Sequence, residues 1–246
     1  MSDQTAPRPW ALVAGASSVI GIEVARKLHT DGYQLILHGA RHVDALEGLV
    51  EELARLGAKP VVVRANLADE GGIDRLVETA RACTPRLEAL CWLAAAGVMR
   101  PLADLDLHHL EWTFRVTAGA FGVVVSRLRP RVSVAVSSSG SIRVVPHYAS
   151  VGAAKAALEA FVRYLAVELA PESRVFGLRV GLVDTPSARR LAAFEELKGA
   201  TLARTPQARL VTPRDVAMAT AELVRHTSPM ASGSVLELDG SCGLVF

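Results

Sequence analysis

Short continuous apolar runs alternate along this chain with longer segments in which apolar positions recur every three or four residues. WALVAG at 10–15 predicts a buried strand, and IGIEVARKLHTDG at 20–32 a helix closed by Gly32. The same alternation continues with strands at 33–39 (YQLILHG), 60–66 (PVVVRAN), 88–95 (EALCWLAA), 131–139 (RVSVAVSSS), 174–181 (RVFGLRVG) and 233–240 (GSVLELDG). Between them lie predicted helices at 43–56, 72–83, 106–128, 148–170 and 212–225, the last with Thr212 as N-cap and Pro213 at its first position. Strands that are apolar throughout, rather than alternating, belong to a parallel sheet covered on both faces. The pattern therefore predicts an α/β protein, a single domain spanning 1–246 with a doubly wound parallel sheet of about seven strands and helices on both faces. Only 186–210 is irregular; it follows a strand's carboxyl end, where such sheets bind ligands, and is a candidate substrate lid.

Composition narrows the partners. A chain of 246 residues, half of them hydrophobic, builds a core without metals or disulfides. A net charge of +2 with no basic block gives no footprint for nucleic acid or an anionic membrane. No apolar stretch is long enough to span a bilayer, and MSDQTAPRPW lacks the layout of a signal peptide, so a cytoplasmic protein is expected. Cys83, Cys91 and Cys242 have no metal-type spacing and read as reduced packing residues; no metal site is expected. Arginine in excess of lysine, with abundant alanine, points to a GC-rich bacterial source.

The chemistry starts in AGASSVIGIE, the turn between the first strand and the first helix. Gly15 and Gly21 stand where a tight turn and a close helix–strand approach exclude a side chain, and the helix N-terminus offers free N–H groups to a pyrophosphate. Ser17 and Ser18 can add hydroxyls there, beside Ile20. The second strand ends in LILHGAR, with no acid for a ribose 2′-hydroxyl but with Arg41, whose guanidinium suits a 2′-phosphate. NADPH is thus favoured over NADH, against the alternative of Arg41 as a solvated charge at a helix start.

A second group comprises Ser138 at the end of the fifth predicted strand, Tyr148, and Lys155 seven positions later. Hydride delivery to an unsaturated carbon leaves charge on oxygen, which a positioned phenol can stabilise if a nearby cation lowers its pKa. Lysine is that cation, and serine can hold the substrate oxygen.

The glycine turn and this trio resemble the short-chain dehydrogenase/reductase family, a Rossmann-type fold. The Y-x6-K spacing, together with SIRVVPHYASVGAAKAALEAFVRYLAVELAP, GVMRPLADLD and LDGSCGLVF, is similar to its NADPH-dependent enoyl-acyl-carrier-protein reductases. In the ordinary family pattern the tyrosine lies four residues before the lysine, where this chain has Val151, while Ser138 and Lys155 keep their register. The resemblance implies reduction of a conjugated C=C in a small-molecule or carrier-bound acyl substrate, such as a specialised acyl or polyketide intermediate. A ketone, or a non-redox binding or isomerase role on the same fold, is the alternative. It implies cofactor contacts at Asn66 and Leu67 in RANLAD, at Ala94 and Ala95 in WLAAAG, and at Val183 and Thr185, with Lys155 on the nicotinamide ribose, and assembly as a homotetramer or homodimer. The chain departs from the family at Ala14, Val19, Trp92, Leu93, Thr117 and Val180. Val19 puts a β-branched side chain where the phosphates approach, which implies weaker cofactor binding, and Thr117 replaces the asparagine that supports a proton-relay water. Arg143 and His147 read as solvated loop residues in preference to substrate contacts.

Overall fold

The computed structural model describes residues 8–40 and 44–245. Its strands are β1 (Trp10–Ala14), β2 (Gln34–Gly39), β3 (Val61–Arg64), β4 (Ala89–Trp92), β5 (Val132–Ser138), β6 (Arg174–Val180) and β7 (Val235–Leu238). They form one sheet in the order β3-β2-β1-β4-β5-β6-β7, every pairing parallel. The chain winds outward from β1 to β3, then returns to lay β4 against β1's other edge. That reversal opens a crevice at the carboxyl ends of β1 and β4, the usual ligand position in such a sheet.

The helices are α1 (Val19–Thr30), α2 (Glu47–Leu56), α3 (Glu70–Cys83), α4 (Leu107–Phe114), α5 (Ala120–Leu128), α6 (Ala149–Glu168), α7 (Phe194–Arg204) and α8 (Pro213–Arg225). Strand residues alternate between two cores. Ala11, Val13, Val132 and Val134 pack beneath α1, α2 and α8, while Leu12, Ala14 and Ala135 face α3, α5 and α6. This two-sided burial explains why the strands read as unbroken apolar runs.

Two regions are more specific than their sequence. The expected helix at 106–128 runs on from α4 to α5, but through a π turn at Arg115–Gly119 in which the Ala120 N–H reaches the Arg115 carbonyl. Such turns leave a carbonyl without its usual helical partner and recur at functional sites. The irregular 186–210 segment holds a short 3₁₀ turn, Ala188–Arg190, and α7, while a bridge between Val183 and Val211 brings the two ends of the excursion together. Among the described residues, no helix is long and apolar enough to cross a membrane.

At the start of α8 the expected cap is present. Thr212 Oγ1 accepts the Asp215 N–H at 3.2 Å, and the Asp215 carboxylate accepts the Thr212 N–H at 2.8 Å and two bonds from Arg209. Thr212→Ala should cost about 1 kcal/mol, seen as a fall in thermal midpoint of roughly 2–4 °C in a calorimetric scan.

Candidate active site

The crevice begins at the β1–α1 turn. Gly15 has φ +84°, and a Cβ there would lie 2.7 Å from the Ala94 N, so the turns after β1 and β4 meet backbone to backbone. A Cβ on Gly21 would collide with the Gly15 carbonyl. Ser18 caps α1, its Oγ accepting the Gly21 N–H at 3.0 Å and donating to the Gly15 carbonyl at 2.9 Å. That hydroxyl therefore shapes the turn instead of being free for a phosphate, as the sequence has it. Ser17, Ile20 and Val19 face the crevice, with Val19 44% exposed at the first position of α1.

Beneath this turn lies a residue whose role has no sequence signal. The buried His38 accepts the Gly15 N–H at Nδ1 (3.2 Å), and its Nε2 lies 3.0 Å from the Ala65 carbonyl. The pairing requires a proton on Nε2 and none on Nδ1, and burial holds the imidazole below its ordinary pKa. Arg41, on which the preference for NADPH rests, lies outside the described residues. Asn66 and Leu67 are absorbed locally: Asn66 bonds Asp69 at 2.7 Å and the Ala68 N–H at 3.2 Å, and the Leu67 side chain is buried in the core. Ala94 is also buried, while Ala95 lines the crevice.

Ser138, Tyr148 and Lys155 come together in the lining of a cavity of about 620 Å³. Ser138 ends β5, and a 3₁₀ turn at Ser139–Ser141 follows; Ser138 Oγ accepts the Gly140 N–H at 3.2 Å. Tyr148 precedes α6, behind His147 in the left-handed conformation (φ +61°). One edge of its ring lies against Gly140, where a Cβ would come within 2.7 Å of two ring carbons, and its hydroxyl is hydrogen-bonded to Ser138. Val151, at the ordinary tyrosine position, instead presses a methyl onto Gly97 in the turn after β4. The structure thus accommodates the shifted tyrosine at both ends.

Lys155 is 6% exposed and donates to the Val136 carbonyl at 2.7 Å. Burial pulls its pKa down to about 8, opposed by the negative charge of Glu159. Burial pushes the Tyr148 phenol above its ordinary value, with the Ser138 bond opposing.

Val183 and Thr185 line the cavity after β6, and Thr185 Oγ1 accepts the Ala188 N–H at 3.1 Å. Arg143, exposed in its loop as read, also borders the cavity and lies beside Glu237 (3.4 Å) and Asp239 (3.7 Å). His147 is exposed and outside the lining. Cys242, read as simple packing, forms part of the wall, with all three cysteines free. Leu191, Leu197 and Leu210 of the 186–210 segment supply apolar wall. Where the family pattern has its asparagine, Thr117 turns its hydroxyl to the Ala96 carbonyl (3.1 Å), and its own carbonyl accepts the Trp92 indole N–H (3.1 Å).

These groups fit a nicotinamide dinucleotide. A Cβ at Gly15 or Gly21 would meet backbone, α1 opens its N-terminus to the crevice, and a buried ammonium borders the cavity with a single protein hydrogen bond described.

Residues 15–242 match the model of the enoyl-(acyl carrier protein) reductase family. The chain is 30% identical to 1-cyclohexenylcarbonyl-CoA reductase of Streptomyces collinus, over 98% of this chain and 90% of that one. It is 31% identical to a Streptomyces violaceoruber protein assigned as ketoacyl reductase 2 of the granaticin polyketide synthase, over the full length of both. Among solved structures, the NADH-dependent enoyl-[acyl-carrier-protein] reductase of Aquifex aeolicus superposes with a TM-score of 0.86 at 24% identity, over 96% of this chain and 97% of that one.

Two outcomes follow from this geometry. Gly140→Ala should displace the Tyr148 ring and lower kcat by roughly 100-fold, while cofactor affinity, measured by fluorescence titration, stays within about threefold of wild type. For Lys155, the unfolded chain binds more protons than the folded one between pH 8 and the ordinary 10.5. Stability therefore rises with pH across that window, and below it the buried charge is destabilising. Lys155→Met should abolish this rise in a series of thermal midpoints and be at least as stable as wild type at pH 7, with turnover lower by about 100-fold or more.

Proposed function

This chain belongs to the enoyl-(acyl carrier protein) reductase family of short-chain dehydrogenase/reductases, and we propose that it uses NADPH to reduce the conjugated C=C of an enoyl thioester. The observation that carries the reading is the placement of Tyr148 on Gly140, within reach of Ser138, with Val151 seated on Gly97 where the ordinary tyrosine would be. The substrate is a specialised acyl or polyketide intermediate held as a CoA or carrier thioester. Similarity to a reductase named for 1-cyclohexenylcarbonyl-CoA and the apolar wall from Leu191, Leu197 and Leu210 support that class. The 186–210 segment acts as a lid over this end of the cavity.

The reduced nicotinamide, when bound, supplies hydride to the β-carbon. The displaced π electrons place negative charge on the thioester oxygen, Tyr148 Oη donates a hydrogen bond to that oxygen, and the resulting enolate takes a solvent proton at the α-carbon to complete the reduction. Because burial disfavours its phenolate, Tyr148 retains its proton at neutral pH and can do so. Ser138 holds the Tyr148 hydroxyl in line. Lys155, one N–H spent on Val136, directs its others to the ribose hydroxyls. Gly15, Ser17, Ile20 and Gly21 shape the pyrophosphate end, Ala94 and Ala95 border the dinucleotide, and Val183 and Thr185 stand by the carboxamide. Arg41 takes the 2′-phosphate, and Asn66 and Leu67 border the adenine through their backbone. The enzyme works as a homotetramer or homodimer; exposed Val123, Tyr164 and Val167 on α5 and α6 supply apolar surface for helix packing.

Ketone reduction is the second reading. The hydrogen-bonded Ser138–Tyr148 pair could equally hold a carbonyl oxygen, and the relative assigned as a ketoacyl reductase is 31% identical. A steady-state screen of enoyl-CoA thioesters and ketones with NADPH and NADH separates the two. The proposal expects NADPH oxidation with enoyl thioesters, abolished by Tyr148→Phe, and a preference over NADH that Arg41→Ala removes. Turnover of ketones alone establishes the second reading, and undiminished reduction by Tyr148→Phe overturns the role of the tyrosine.

A further inference from the structure

One buried charged group lies next to the trio without belonging to it. Glu159, 5% exposed, stands one helical turn beyond Lys155 on α6. Its Oε1 accepts hydrogen bonds from Ser137 Oγ and Ser141 Oγ, both at 2.6 Å. Arg179 on β6 closes the carboxylate from the other side, with Nη2 at 2.6 Å from Oε2 and Nε at 3.1 Å from Oε1; the same Nε also lies 3.2 Å from Ser141 Oγ. Ser137 and Ser141 flank Ser138–Gly140, so one carboxylate grips both ends of the turn that presents the catalytic serine and the glycine under the Tyr148 ring.

We propose that Glu159, seated by Arg179, is a positioning residue of this reductase: it fixes the 137–141 turn beneath Tyr148 and serves as the counter-charge of Lys155. The proposal rests on the reading of Ser138, Tyr148 and Lys155 as the reactive groups. A buried ion pair is weak evidence for stability in itself, since apolar replacements are often neutral. What favours a positioning role is where the bonds go. Every hydrogen bond to the Glu159 carboxylate comes from the catalytic turn or from the arginine that also touches that turn. The charged groups around the pair form one series. Lys155 and Glu159 lie on α6 and Arg179 on β6. Glu237 on β7, 3.5 Å from Arg179, and then Arg143 and Asp239 at the cavity wall complete it. Arg179 and the two serines keep Glu159 ionised in spite of burial, and Glu159 in turn opposes the loss of the Lys155 proton.

Three variants test this. Glu159→Gln, which keeps the shape but removes the charge, should lower kcat roughly 10- to 100-fold with KM within about threefold of wild type. It should also move the basic limb of the kcat–pH profile to lower pH. Glu159→Leu/Arg179→Met, which replaces the pair by apolar side chains, should recover the thermal midpoint but not kcat. A readout needing no turnover is the pH at which stability begins to rise, referenced to Lys155→Met; in Glu159→Gln it should fall below the wild-type value near 8. Wild-type kcat and an unmoved limb in Glu159→Gln, or wild-type kcat in the apolar double variant, overturn the proposal. If wild type reduces none of the substrates screened, the enzymatic reading fails. The shift in the stability window then decides the coupling of Glu159 to Lys155 alone, and an unmoved window overturns that too.

Discussion

An ammonium group buried at the carboxyl edge of a parallel sheet is the constraint on which the rest of this site depends. Lys155 is nearly inaccessible, and burying a charge is costly unless hydrogen bonds and an opposite charge offset it. The Val136 carbonyl supplies the bond, and Glu159 one turn along α6 supplies the charge. Glu159 is itself buried and needs Arg179, whose guanidinium reaches on toward Glu237. The demand for compensation thus passes from α6 through β6 to β7, and it binds the 137–141 turn into the same network.

The second constraint is steric. Tyr148 occupies a place three residues earlier than the ordinary spacing, and α6 admits this because small residues stand at both contact points. Gly140 lets the ring lie on the backbone, Gly152 lets the helix approach the Gly140 carbonyl within 2.6 Å of a notional Cβ, and Gly97 receives Val151. His147, held in the left-handed region, turns the chain so that the ring arrives from outside the helix. Tyr148 is therefore a residue braced against a helix from just outside it, behind backbone strain that a histidine tolerates better than a β-branched residue would.

The sheet and most helices were legible because two-sided burial writes itself as continuous apolar runs. Ser138, Tyr148 and Lys155 were legible because their spacing is local to one strand and one helix. What escaped the sequence depends on distant approach. Glu159 and Arg179 lie on separate elements and read as ordinary charges until the fold brings them within 2.6 Å. The carboxylates beside the exposed Arg143, Glu237 on β7 and Asp239 just after it, arrive from the far end of the chain. The π turn has no periodicity to betray it, and the burial that pushes the Tyr148 phenol up is something no spacing reports. Ser18 and Leu67 show the converse: residues at cofactor positions whose side chains are taken up by the cap and the core.

The bridge between Val183 and Val211 has a consequence for how such a protein diversifies. Both ends of the intervening excursion are held together at one bridge beyond the sheet, so its length and sequence are uncoupled from the register of β6 and from the start of α8. Doubling a flexible loop adds only about 0.6 kcal/mol to its closure cost. The wall of the cavity can therefore be rewritten, by insertion as readily as by substitution, at little expense to folding. In that sense the scaffold separates the inheritance of its reaction centre from the inheritance of its substrate.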